Sequence, residues 1–142
     1  MILSILLGGA VAAACVVVRW YLDRPGRADS EHFGGWVKLT GLRNHGSAFG
    51  LLKLTANQLS AISAAVLAWS LTLWRQSRIG CALVLGGGLS NLWERVMHGG
   101  VYDYIQFPKA PEKVRRYVFN LADFAILLGA IAIFMGSRKK RR

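Results

Sequence analysis

Residues 86–124 read GGGLSNLWERVMHGGVYDYIQFPKAPEKVRRYVFNLADF, and the carboxylates at Asp103 and Asp123 decide how the rest of the chain is read. Asp103 follows one apolar run, and Asp123 lies just inside the next, which continues to Ser137. A charged side chain in an apolar segment is costly and is kept for a partner or a task. If the flanking runs are antiparallel membrane helices, the loop between them brings both Asp residues to one membrane face. Two carboxylates converging on one water have the chemistry of an aspartic-protease dyad, one holding a proton while the other acts as base.

The apolar residues around this stretch are clumped. Met1 to Val18, Leu54 to Trp74 and Ile79 to Trp93 carry no charge, and Val118 to Ser137 carries only Asp123. A membrane span needs about 20 predominantly apolar residues, with ~17 workable, so the first, second and fourth runs qualify unaided. The third reaches full length by taking in Glu94 to Met97, which sets Glu94 and Arg95 at the membrane edge. The expected fold class is therefore an all-α integral membrane protein, a single domain over residues 1–142. Its four transmembrane helices are expected at about 1–20, 54–74, 79–97 and 118–137, with extracytoplasmic loops at about 21–53 and 98–117. The first run lacks the basic start of a signal peptide, although Ala12 to Ala14 resembles a cleavage site. It is read as an uncleaved span because a four-helix bundle needs it.

The formal net charge of +11 lies between and after the apolar runs, as near anionic lipid. No basic stripe is interleaved with exposed aromatics on a soluble face, so no nucleic-acid partner is expected. Arg75 and Arg78 share one side with the basic tail, which makes both termini cytoplasmic and sets the two Asp residues near the extracytoplasmic face. Cys15 and Cys81 lie inside apolar runs and suggest neither a disulfide nor a metal site. No internal repeat, nucleotide-binding glycine motif or metal-ligand cluster appears, and no cofactor is expected.

Between the first two runs, Trp36 to Thr40 alternates in strand fashion up to Gly41. Asn44 and Gly46 follow in a turn-like stretch, where glycine permits unusual backbone geometry and Asn44 offers both donor and acceptor. Asn91 and Arg95 stand four apart on one helical face, with Glu94 between them. They are either a paired helix end or a grip on a polar backbone in lipid surroundings. Tyr102 and Tyr104 suit an interfacial aromatic belt on either side of Asp103.

Four blocks carry a resemblance: Asn44 to Gly50 (NHGSAFG), Gly86 to Arg95 (GGGLSNLWER), Gly99 to Tyr104 (GGVYDY) and Phe119 to Phe124 (FNLADF). In order and placement they resemble the NxGxAFG, GGxxGNxxDR, GxVxDF and FNxAD blocks of the lipoprotein signal peptidase (signal peptidase II) family of aspartic membrane peptidases. The resemblance implies a bacterial inner-membrane endopeptidase that removes the signal peptide from diacylglyceryl-modified prolipoproteins, cutting before the lipidated cysteine. It implies Asp103 and Asp123 as the catalytic pair and Asn44, Asn91, Arg95 and Asn120 as substrate-binding residues. Gly46, Glu94 and Ala122 would support them. It also implies membrane lipids and globomycin-like inhibitors as further partners, and a small extracytoplasmic β-cradle in the first loop, with Trp36 to Phe49 as the candidate. Glu94 stands where the family usually has Asp, and Ser90 where it usually has Gly. Three other readings stand beside this one. They are a divergent paralogue that binds lipidated peptides without cutting them, a small proton-coupled transporter or channel, and a structural Asp123 paired with a basic loop residue such as Arg115 or Arg116.

Overall fold

The structure, a computed structural model, describes residues 2–46 and 54–139. Met1, Ser47 to Gly50 of the first block, Leu51 to Lys53, and Lys140 to Arg142 of the basic tail lie outside the described residues. In chain order the elements are α1 (Ile2–Leu22), β1 (Ser30–His32), β2 (Val37–Asn44), α2 (Ala56–Thr72), α3 (Arg78–His98), β3 (Val101–Gln106), α4 (Glu112–Arg115), β4 (Val118–Phe119) and α5 (Leu121–Lys139).

The helix ends follow from local chemistry. Thr55 and Gln58 form a reciprocal capping box at the start of α2. The Ser77 hydroxyl accepts from the Gly80 amide at 3.0 Å and opens α3. Gly99 closes α3 in the left-handed conformation at φ 69°, which an L side chain resists.

The core is organised around α3, which packs against α1, α2 and α5. Successive helix residues point about 100° apart, so three consecutive glycines address three different neighbours. A Cβ at Gly86 would stand 2.5 Å from the Gly8 carbonyl of α1, and one at Gly87 2.7 Å from the Ala122 carbonyl of α5. A Cβ at Gly88 would collide with Leu67 of α2. Close backbone approach of this kind is how helices associate where water does not drive them together.

The outer surface is apolar. Ile2, Leu3 and Leu6 of α1, Ile62, Val66 and Trp69 of α2, and Leu127, Leu128 and Phe134 of α5 are all exposed. A belt of this kind is foreign to a surface meant for water. Two helices, Ile2–Leu22 and Leu121–Arg138, are long and apolar enough to cross a membrane on length and composition alone.

At one end of the helices lies a four-stranded antiparallel sheet of order β1-β2-β3-β4. Sequence reasoning anticipated a cradle within the first loop. The sheet takes its other half from the second loop, because Val101 to Gln106 pairs along β2 and then receives β4. Val, Tyr and Ile suit a strand as well as a membrane interface, which is why the segment read as an aromatic belt. The last apolar run also divides: Val118–Phe119 is a strand, and α5 starts only at Leu121.

Candidate functional site

Asp103 lies in the middle of β3, 4% exposed. β2 pairs with β3 so that Asn44 faces Val101 and Leu42 faces Asp103. Asn44 and Asp103 are thus diagonal neighbours on one face of the sheet. The Asn44 amide donates to Asp103 Oδ2 at 3.0 Å, and the Asn120 amide donates to Asp103 Oδ1 at 2.8 Å.

Asp123 sits in the first turn of α5 and closes a reciprocal cap with Asn120. Asn120 Oδ1 accepts from the Asp123 main-chain amide at 3.0 Å, and Asp123 Oδ2 accepts from the Asn120 main-chain amide at 2.9 Å. The other carboxylate oxygen, Oδ1, accepts from the Asn91 side chain of α3 at 3.1 Å. Asn120 therefore holds both carboxylates, one through its side chain and the other through its backbone. The partners of Asp123 are Asn91 and Asn120 rather than Arg115 or Arg116.

Both Asp residues face a cavity of about 710 Å³, together with Asn44, Gly46, Asn91, Arg95 and Asn120. Its remaining wall is largely apolar, with Ile62, Val66 and Leu67 from α2 and Ile126, Leu127 and Ala130 from α5. Arg95 donates to Ser63 Oγ at 3.3 Å, and its charge acts on both carboxylates. The polar groups collect at the head of the cavity, below the sheet, while the apolar wall runs on between α2 and α5.

Glu94 and Ala122 lie behind this site. Glu94, 2% exposed, forms an ion pair with Arg19 of α1. It also lies 3.8 Å from Arg43 of β2 and 3.0 Å from His98 one turn on. Ala122 is buried where α5 meets Gly87. Sequence reasoning missed Ser63 and both arginines that face Glu94. It read Tyr104 as an interfacial aromatic and missed its hydroxyl, which accepts from the Leu121 main-chain amide at 3.0 Å. Arg19 was visible as a basic residue at the end of an apolar run, but nothing local ties it to Glu94.

Burial pushes the Asp103 carboxyl up to about 6. The Asn44 and Asn120 amides oppose the rise, the Asp123 carboxylate adds to it, and Arg95 opposes it. A carboxyl raised in this way binds its proton more tightly in the folded state than in the unfolded chain. The stability it confers is full below 3.8 and is lost as pH rises to about 6. The thermal midpoint in detergent should decline across that window and level off above it. In Asp103→Asn the decline should be smaller; an unchanged profile would mean that another group dominates.

The family model described as signal peptidase (SPase) II matches residues 1–138. Two relatives named lipoprotein signal peptidase, from Brucella ovis and Brucella canis, are each 43% identical over 110 residues, covering 69% of this chain and 68% of theirs. Among solved structures, a bacterial membrane enzyme determined in meso at 2.3 Å is similar with a TM-score of 0.85 and 22% identity, covering 99% of this chain and 90% of that one. A second, at 1.9 Å, has a TM-score of 0.80 and 22% identity, covering 95% and 92%. These two likenesses show the fold. With the family match spanning nearly the whole chain, the protein belongs to the signal peptidase II family.

Proposed function

We propose that Asp103 and Asp123 are the catalytic pair with which this membrane peptidase removes lipoprotein signal peptides. Cleavage of lipoprotein signal peptides and the aspartic type of the enzyme come with the family. The observation that supports the residue assignment is Asn120, which hydrogen-bonds both carboxylates at the polar head of an otherwise apolar cavity. Two adjacent carboxylates do not both ionise cheaply, so the pair shares a proton and titrates as a unit. The ionised member takes a proton from water, and that water attacks the scissile carbonyl. The protonated member polarises the carbonyl and then protonates the leaving amine. Asn91, Asn120 and Asn44 hold the carboxylates in register, and Arg95 offers its charge to the substrate backbone.

The substrate is a prolipoprotein whose cysteine carries diacylglycerol. Its acyl chains and signal helix reach the apolar wall from the bilayer, and cleavage falls before the lipidated cysteine. The arrangement in the bacterial inner membrane has α1, α2, α3 and α5 as four spans, both termini cytoplasmic, and the sheet with the Asp pair near the extracytoplasmic face. The basic turn at Arg75 and Arg78 supports this orientation, since Gly136, near the end of α5, packs against Gln76 of that turn. Glu94, the residue that prompted the non-cleaving alternative, has its own cationic partners outside the cavity, so that alternative gains nothing here.

The test is a gel-shift and mass assay on a diacylglyceryl-modified prolipoprotein in detergent. The native protein should release the signal peptide, and Asp103→Asn should not, at unchanged substrate binding. Full cleavage by Asp103→Asn would overturn the assignment.

A further inference from the structure

Asp103 and Tyr104 are consecutive on β3, so their side chains leave opposite faces of the sheet. Asp103 faces the cavity. Tyr104 turns the other way, 2% exposed, into a cluster with Leu22 and Tyr102 against which Leu121 packs. Its hydroxyl accepts from the Leu121 amide, one of the free donors at the start of α5. Two links therefore join β3 to the first turn of α5. The Asn120 side chain reaches Asp103, and the Leu121 backbone reaches Tyr104. The first ends on a reacting carboxylate and answers to its charge. The second does not: burial holds the Tyr104 hydroxyl up at about 12, and it stays neutral throughout the range in which the Asp pair titrates.

We infer that Tyr104 is a positioning residue, its hydroxyl fixing the first turn of α5 against β3 and so setting the spacing between Asp103 and Asp123. The inference rests on those two residues being the reacting pair. The charged groups lining the cavity among the described residues are the two carboxylates themselves, Arg95 of α3 and Arg116, which follows α4. A change of spacing alters how strongly the carboxylates repel each other, and with it both the shared proton and the approach of the water.

Tyr104→Phe removes one oxygen and keeps the ring. The expected result is a fall in kcat of about tenfold or more, with KM held within about twofold, and displaced limbs in the pH–rate profile. Tyr102→Phe is the matched control, since its hydroxyl meets the Leu22 carbonyl of α1 rather than α5. It should leave kcat and the pH profile in place even where it lowers the melting midpoint. Native kcat and pH profile in Tyr104→Phe would overturn the inference. So would a loss of activity that tracks melting with unmoved limbs, since that is a packing effect shared with the control. Failure of the catalytic pair reads differently: Asp103→Asn and Asp123→Asn would then still cut, whatever Tyr104→Phe does.

Discussion

Asp123→Asn should reduce prolipoprotein cleavage by about three orders of magnitude while leaving the fold and substrate binding in place. The substitution is informative because, on the proposed assignment, Asp123 is both a capping acceptor and an acid or base. As a capping acceptor, Oδ2 takes the Asn120 amide, and an Asn side chain keeps an acceptor for that bond. As an acid or base it has no substitute, since an amide neither takes a proton from water nor returns one. Structure and chemistry are thus separated in a single change. The measurement is initial cleavage rate beside the thermal midpoint and retention of lipidated substrate on the detergent-solubilised protein. A variant that melts normally, binds substrate and still cuts at native rate would remove Asp123 from the mechanism. Asp123→Ala serves as the contrast. It loses the cap as well, and should lower stability by about 1 kcal/mol.

Glu94→Gln should produce the second large effect, on stability. The Glu94 carboxylate is buried between two arginines, Arg19 from α1 and Arg43 from β2, with the His98 imidazole of α3 at 3.0 Å. Removing its charge leaves Arg19, which is mostly buried, facing a neutral amide, while Arg43 keeps Asp23 at 3.7 Å and the Tyr102 ring. Breaking one side of a buried ion pair costs about 3–5 kcal/mol, so the midpoint should fall by ~10 °C or more. Cys15 and Cys81 are both buried, so a thiol-reactive dye reports the transition without an introduced label. Activity should fall less than stability at low temperature, because Glu94 lies outside the cavity and acts on the pair only through neighbours. Arg43 adjoins Asn44, and Asn91 is one turn before Glu94. Glu94→Asp should fall between the two proteins, since the shorter side chain keeps the charge but draws it back from Arg19. An unchanged midpoint in Glu94→Gln would mean that solvent reaches the cluster.

The cavity's polar residues were legible from sequence because the tetrad of blocks names Asn44, Asn91, Arg95, Asp103, Asn120 and Asp123 together, and the structure brings all six to one cavity. Glu94 was legible as a supporting residue but not its purpose, because Arg19 lies 75 positions earlier and the pair arises only when α1 packs on α3. The sheet was half legible. Trp36 to Thr40 alternates over a stretch long enough to read, whereas Val101 to Gln106 is strand only by virtue of pairing with β2. Val118 and Phe119 were drawn into the last span by their hydrophobicity. Their pairing with β3, and the capping of α5 by Asn120, divide a run that composition alone joins. The hydrogen bond of Tyr104 was hidden for the same reason as that of Ser63. Each matters through one hydrogen bond to an element distant in sequence, and local pattern holds no record of such bonds.

Asp123 stands at the head of α5, the last element of the described chain, and α5 seats against Gly80 and Gly87 of α3. Synthesis runs from the N-terminus, so α1, the first strands and α3 emerge while half of the Asp pair is still unmade. On the proposed assignment, no nascent or truncated chain ending before α5 can hydrolyse a peptide bond. On that assignment, the docking of α5 on α3 is what switches the protease on.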